Sequence, residues 1–587
     1  MDPERSRSIN TTNTTNSHDL ALGAQEGKMK NQHLRGPRRF RTASLITLAV
    51  LAASSCGSSG ESDAPDDDAA AVTSDDAPDS TSDTSDAPAE TDPPEPDDSE
   101  ARPLRIGQVG DLGSLEPYRN ASTNYLFIEN VFDQLLVNEK NEGLEPEAAT
   151  VELAPDNMSL TITLREGLTT HDGSVVDSEM LRYDFEERVA SPDTGGAMYN
   201  ALAPYYDSVE IVDDLTLKFN FVTPTPHAEH LMALMIVADP DMFVKSDGSV
   251  AFSNEEETQI GTGPYQLVEY VPDTSMTLEA FDGYWEDGSP AIERIDITFF
   301  GDSASMIAAL ESGQIDLAFN PPFDAAARLG AENAFTAWLP ETAGVSSILM
   351  VNPEREHLRD PRVRQAINIA INRDAVNAGA YAGLAIPTAS PVPPSSMAYT
   401  DALAVETAGE PERARELLAE AGAEDLAIQI TYPGDNDVAR LSVEVVAQNL
   451  NEIGIDATLD PVDSSIWKER RGAQDFDVLW SLIAGANKHP AGLEDTFAYA
   501  HTDNKFFDDI EPQEEFVRYS DAFSRALAAT DPDEAASAWQ EAVVAAADGS
   551  WVVILVGAPF PMVSTSDLVG VTWTEADKPI FKYATFQ

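Results

Sequence analysis

The chain predicts an α/β fold with a partly parallel sheet, divided into more than one lobe. Three observations carry this. Strand-like segments of period two alternate with helix-like segments rather than segregating from them, which implies strand–helix–strand units and parallel pairing. Glycines stand where a helix must end before the next strand begins. The length of 587 residues exceeds what one hydrophobic core serves, so two or more lobes are expected. No repeat of 20–50 residues is evident, which excludes a solenoid.

"PLRIGQV" (103–109) reads as the first strand, and "SLTITLREG" (159–167) and "LTLKFNF" (215–221) alternate as half-buried strands do. "SASMIAALESGQIDLAF" (303–319) is a helix stopped at Gly313, then a strand from Ile315. "DPRVRQAINIAINRDAV" (360–376) starts a helix with an Asp360 cap and Pro361 at the first helical position. Its Val363, Ile367 and Ile371 share one face at fourfold spacing. "PERARELLAEAG" (411–422) is a further helix, and "VEVVAQNLNEIGIDATLDP" (443–461) repeats the helix–glycine–strand arrangement around Gly454 and Ile455.

Apolar residues make up 42% and aromatic residues 8%, as in ordinary globular proteins, but the net charge is −66. That charge excludes binding to nucleic acid or an anionic membrane by electrostatics. The single cysteine, Cys56, excludes an intramolecular disulfide and Cys-rich metal sites. The charge is uneven. Residues 1–56 hold eight Lys/Arg against four Asp/Glu, whereas residues 57–100 hold sixteen acids and no base.

The basic start has a physical reading. Arg35, Arg38, Arg39 and Arg41 precede about a dozen mostly apolar residues and then "AASSC", the layout of a secretory signal. A spanning helix needs about 20 apolar residues, so this run is too short for one. Ala53, Ser54 and Ser55 before Cys56 resemble a bacterial lipobox, with alanine in place of the usual leucine. That resemblance implies that Cys56 becomes an acylated N-terminus, and several acyl chains hold a protein to a membrane durably. Residues 1–28 are polar, while Met29 opens a normal basic leader, so translation is expected to begin at Met29. The Arg38-Arg39 pair leaves twin-arginine and general secretory export both open. Residues 57–100 cannot bury a core and are expected to form a disordered acidic linker, roughly 35–40 Å across on average.

Motifs for bond-breaking chemistry are absent. There is no GxxxxGK phosphate loop, HExxH zinc helix or GxSxG nucleophile elbow. "GTGPY" (261–265) begins like a dinucleotide loop and fails at Gln266. His227 and His230 form an HxxH pair, read as surface histidines because no third ligand is evident. No cofactor and no catalytic residue are assigned.

Several segments, in sequence order, carry a resemblance. They are "SLEPY" (114–118), "LEPEAATVELAPDNMSLTITLREGLTTHDGSVVDSEMLRYDFE" (144–186), "GTGPY", "FDGYWEDGSPAIERIDITFF" (281–300), "ALESGQIDLAF" (309–319), "DPRVRQAINIAINRDAV", "ARELLAEAG" (414–422) and "IWKERRGAQDFDVLW" (466–480). Together they resemble the extracellular solute-binding proteins of family 5, the oligopeptide, dipeptide and nickel receptors of ABC importers, over nearly everything from Pro103 to Gln587. The resemblance implies a two-lobed periplasmic-binding-protein fold (type II, cluster C) with an extra subdomain in the first lobe. The expected organisation is a signal at 29–55, a lipidated Cys56 with its linker to residue 100, a first lobe of 103–298 plus 553–587, and a second lobe of 299–552. The extra subdomain covers 146–205, and the hinge crossovers fall near Phe299 and Val553. The implied partners are a small solute and the ABC permease, with the membrane reached through the lipid; a monomer outside the cytoplasm is expected.

In the peptide receptors of this family, the segment after "FDV" carries a tryptophan and then an aspartate that pairs with the peptide's free amine. Aligned on Phe476-Asp477-Val478, those positions are Ile483 and Ala486. A buried ammonium without a partner costs several kcal/mol, so recognition of a peptide N-terminus is put in doubt. Lys488 and His489 either face an anionic or hydroxyl-rich solute or lie on an exposed loop, and Glu494 or Asp495 is a candidate to replace the acid through a shifted loop. Trp467 stands where peptide receptors carry a pocket tryptophan, and Trp480 ends a strand nearby; each is pocket or core. Tyr118, Tyr265 and Asn352 stand at strand ends or turns expected near the cleft, and Arg470 and Arg471 either pair an acidic group or lie on a solvated face. His171-Asp172-Gly173 is read as a turn.

The expectation is therefore a receptor without enzymatic activity. Peptide, oligosaccharide, metal chelate and other small solutes stay open as ligands. A secreted lipoprotein hydrolase and a sensor for a membrane signalling partner are the alternatives.

Overall fold

The computed structural model describes residues 102–115, 124–138, 143–186, 202–233, 235–239, 259–340, 345–403, 407–484, 489–492, 513–574 and 578–587. All of these belong to the compact unit Asp92–Gln587. The expected signal, Cys56 and the acidic linker lie outside the described residues.

Two mixed sheets organise this unit. The first has seven strands in the order Phe335–Trp338, Met562–Thr565, Leu317–Phe319, Leu104–Val109, Arg294–Phe300, Ser275–Ala280 and Tyr265–Val271. Leu104–Val109 runs parallel to both of its neighbours. The second has six strands in the order Ile386–Pro387, Val552–Ala558, Val345–Val351, Val478–Ala484, Ala427–Pro433 and Asp456–Val462. There Ala427–Pro433 is parallel to both neighbours. The partly parallel α/β fold read from the sequence is the fold observed.

Each sheet has its own cores. One face of the first buries Leu104, Ile106, Ile295 and Ile297 among the apolar residues of 125–238. The other takes Met306, Ile307 and Leu310 from the helix Ser303–Glu311. That helix sits so close that a Cβ on Gly107 would lie 2.9 Å from Met306 Cγ, and 2.6 Å from Ile315 Cδ1 just beyond the helix, so the strand carries glycine there. In the second sheet, Val345–Val351 is buried throughout. Leu349 and Val351 face one core, while Ile348 and Met350 face the other, as period two demands.

The chain crosses from the first sheet to the second between Trp338 and Val345 and returns between Ala558 and Met562. Both crossovers fall later than the expected Phe299 and Val553. The reason is pairing: Leu317–Phe319 and Phe335–Trp338 belong to the first sheet, and Val552–Ala558 to the second. A third, antiparallel sheet orders Ala149–Leu153, Ser159–Leu164, Thr216–Phe221 and Tyr206–Ile211, so this subdomain runs beyond residue 205.

The long helix expected over 360–376 is two helices. Pro361–Ala370 starts on Asp360, whose carboxylate accepts from Arg362 N, and stops at Ile371, which turns extended with ψ 121°. Asn372 then caps Arg373–Ala380 by accepting from Ala375 N at 2.8 Å. The break is held from outside: Asn449 accepts from Asn372 N at 2.9 Å, and the buried Arg373 donates to Ile554 O at 3.0 Å. Gly422, at φ 67°, ends Pro411–Ala421 as its position predicts.

Candidate functional site

Most of the recognisable motifs cement the scaffold. In "FDGYWEDG", Tyr284 Oη and Trp285 Nε1 both donate to the buried carboxyl of Asp133, at 3.2 and 3.1 Å. Burial, with Glu147 nearby, raises that carboxyl well above the usual range. The HDG turn and "GTGPY" fasten each other: Gly261 N donates to His171 Nδ1 at 3.2 Å, and His171 Nε2 donates to Gly263 O at 3.0 Å. Burial lowers His171 to about 4, which keeps the ring neutral as this bonding pattern requires. Arg364, fully buried, donates to Gly549 O, Leu358 O and Arg359 O, closing the end of the helix Pro532–Gly549. Burial lowers it to about 10.

Two of the sequence candidates are scaffold as well. Tyr265 is fully buried, its hydroxyl donates to Phe581 O at 3.4 Å, and burial raises its phenol; it fixes the C-terminal segment. Asn352 is buried, donates to Gln474 O and Phe476 O at 3.0 and 3.1 Å, and accepts from Glu354 N at 3.0 Å. Its polar atoms are taken up by backbone, so it staples a loop. Tyr118, Ala486, Lys488, Glu494 and Asp495 lie outside the described residues.

The other candidates converge on the second lobe. The helix Ser464–Ala473 presents Trp467, whose Nε1 donates to Trp480 O at 3.0 Å. The Arg471 guanidinium lies 5.5 Å from the Trp467 ring centroid, within cation–π range, and burial lowers its pKa. Trp480 is buried and donates from Nε1 to Ser347 Oγ at 3.0 Å. Ile483 joins the core that holds Trp539, with Trp467 packed against it. Ile483 and Trp539 therefore back a wall whose half-buried front is Trp467 and Arg471, whereas the Trp480 side chain lies on the opposite face of its strand, in the core of Leu349 and Val351. Arg470 is paired with Asp460.

His489 extends this wall toward the first lobe. Its ring stands edge-on to Trp539 at 5.8 Å, stacks on His227 at 5.8 Å and lies 4.5 Å from His230. His227 and His230 belong to the start and the body of the short helix Ala228–Met232, which packs into the first core. They are not surface histidines: His227 is 4% exposed, its ring is edge-on to Tyr205 at 5.0 Å, and its Nδ1 has no hydrogen-bond partner. Burial lowers His227 and His230 to about 4. Burial, with the two neighbouring rings adding to it, lowers His489 to about 2. The third histidine follows His227 by 262 positions in the chain, so no local pattern exposes the cluster. Among the described residues, no group of three His, Cys, Asp or Glu is arranged to hold a metal ion. Among the same residues, no helix is long and apolar enough to cross a membrane.

The three histidines thus meet where two separately cored lobes, joined by two crossovers, approach each other. The return crossover carries Phe560, edge-on to Tyr125 at 5.6 Å. Beside the strands, Phe323 of the first lobe meets Tyr381 of the second at 4.9 Å. Such an arrangement can enclose a small molecule between lobes that move as bodies.

Comparison with known proteins agrees with the fold. The family model for bacterial extracellular solute-binding proteins, family 5 Middle, matches residues 143–505. The glutathione-binding protein GsiB of Salmonella paratyphi A is 28% identical over 344 residues, covering 57% of this chain and 65% of that protein. The chain therefore spans just under two thirds of that curated relative. Among solved structures, NikA from Brucella suis in complex with Fe(III)-EDTA superimposes with a TM-score of 0.73 at 20% identity, covering 83% of this chain and 100% of that one. The PBP AgaA in complex with agropinic acid, from A. tumefacien R10, gives 0.69 at 21% identity, covering 83% and 99%.

Proposed function

Since the chain belongs to the bacterial extracellular solute-binding proteins of family 5, we propose that it captures a small organic solute between its lobes and delivers it unchanged to an ABC permease. The observation that carries this reading is the pair of independently cored sheets joined by two crossovers, between Trp338 and Val345 and between Ala558 and Met562. Bodies so joined rotate about their connections with little loss of core. The solute rests against Trp467 and Arg471, backed by the core that holds Ile483 and Trp539, with His489 at the edge. An aromatic face beside a guanidinium suits a planar, anionic or peptide-like group. Lipid attachment at Cys56, with residues 57–100 as a tether, keeps the receptor outside the cytoplasm and near its permease; the lipobox-like segment supports this.

Glutathione is the first compound to try, because the GsiB relatives are named for binding it. The test is native mass spectrometry of freshly purified, untagged protein. A co-purified small molecule, released unchanged on denaturation, is the expected result. A released product of altered mass that accumulates with time would point instead to a hydrolase.

A further inference from the structure

We propose that His227, His230 and His489 form a pH-sensitive latch across the lobe interface, closed when all three rings are neutral and driven open when they take up protons. The inference rests on the capture reading above and specifies how the closed form is regulated.

Geometry carries it. Two of the rings come from the first lobe, on the segment around Ala228–Met232, and the third comes from the second lobe. His489 is stacked on His227 and tilted against His230, with Trp539 at its edge. Tyr205 closes the other side of His227. A contact made by one residue of one lobe and two of the other exists only while the lobes are together. Rings at 4.5 and 5.8 Å between centroids tolerate one another as neutral imidazoles and repel as imidazolium ions.

Nothing in the described surroundings compensates that repulsion. The charged groups on the adjoining elements are Glu229 beside the first-lobe pair, Glu152 on the strand packed against their helix, and Asp533, Glu534, Glu541 and Asp548 on the helix bearing Trp539. All are exposed except Asp548, which is half-buried. Glu541 is paired with Arg525 and Asp548 with Arg518. Among the described residues, no carboxylate forms an ion pair with any of the three rings, and no acid contributes to their titration. Tyr205 is the remaining titratable group in ring contact.

Linkage sets the sign. The closed form holds the three rings well below the ordinary histidine value near 6.5, whereas a ring that regains water on opening returns toward it. The closed form is therefore fully favoured above pH ~6.5 and loses ground as pH falls below it. Each such ring disfavours closure about tenfold between pH 7.5 and 5.5. His489 and His230 are half-buried and regain water most readily.

The test uses the full chain and needs no solute. Small-angle X-ray scattering gives the radius of gyration at pH 7.5 and 5.5 for the wild type, His230→Gln, His489→Gln and the double variant. In parallel, NMR of labelled histidines follows the eight imidazoles. The wild type is expected to expand on acidification, each single variant to expand less, and the double variant to keep its size; circular dichroism at both pH values confirms that each variant is folded. A wild type that does not expand, or a double variant that expands equally, overturns the latch, whatever the NMR midpoints. Either of those results leaves solute capture standing, since native mass spectrometry reads that separately.

Discussion

Replacing His171 by alanine tests how the HDG turn and "GTGPY" hold the first lobe together. The imidazole accepts from Gly261 N and donates to Gly263 O, each bond worth about 1 kcal/mol net. Its edge-on contact with Phe281, 4.9 Å between centroids, adds about 1 kcal/mol. At pH 7.5, His171→Ala is therefore expected to cost about 3 kcal/mol. The same bonds make the wild type acid-sensitive. Burial lowers His171 to about 4 in the fold, against about 6.5 in the unfolded chain. This contribution is fully present above pH ~6.5 and is lost as pH falls toward 4, and the gap corresponds to about 3 kcal/mol. The two figures agree, so the variant's deficit should shrink toward zero near pH 4. Urea unfolding at pH 7.5, 5.5 and 4.5, read as the shift in midpoint at constant m-value, measures it. A deficit below about 1 kcal/mol at pH 7.5, or one that does not change with pH, would mean that the neutral imidazole does not hold these two segments together.

Gly261→Ala brings a Cβ to 2.0 Å from Val131 O, a backbone atom with nowhere to go, so it should cost at least about 3 kcal/mol and lower the thermal midpoint by several degrees or more. Asp316→Asn should cost about 2 kcal/mol at pH 7, discounted because Arg102 and Arg105 are partly exposed. Burial opposes the Asp316 charge, but the bonds from Arg105 and Arg102 outweigh it and lower the carboxyl. This contribution is therefore present above pH ~4 and fades as pH falls through the lowered value, which urea midpoints at pH 7 and 3 would read. Trp467→Ala should leave the melting temperature within a few degrees and weaken retention of a co-purified solute at least tenfold. By contrast, Asn352→Ala should lower the melting temperature through its three lost backbone bonds.

The fold was largely legible because its signals are local. Asp360 caps its helix where the sequence places it, and Gly422 and Gly454 take positive φ after helices. The break at Ile371 was not legible, since Asn372 looks like an interior residue until Asn449 and Ile554 hold the turn from other elements. The places where the chain passes between sheets depend on strand pairing, which joins Leu317–Phe319 and Phe335–Trp338 to the first sheet and Val552–Ala558 to the second; "VSSILMV" and "VVILVGA" are buried on both faces, so alternation gives no signal there. For the site, the motifs pointed mostly at cement: Tyr284, Trp285, His171 and Arg364 hold the scaffold. Tyr265 and Asn352 are polar residues at a turn and a strand end, and the partners that make them scaffold, Phe581 and the loop at 474–476, are far away in sequence. The meeting of His489 with His227 depends on the closure of two lobes, which no window of sequence contains.

Capture without chemistry requires that two lobes close on a solute and let it go intact. Small-angle X-ray scattering of the protein at pH 5.5, where the three histidines do not themselves hold the lobes together, before and after adding back the molecule released from it, reads the closure, and mass spectrometry of the recovered molecule reads its integrity. The expected outcome is a smaller radius of gyration on addition and a recovered molecule of unchanged mass. An unchanged radius at saturating solute, or a solute recovered in pieces, would rule this receptor mechanism out.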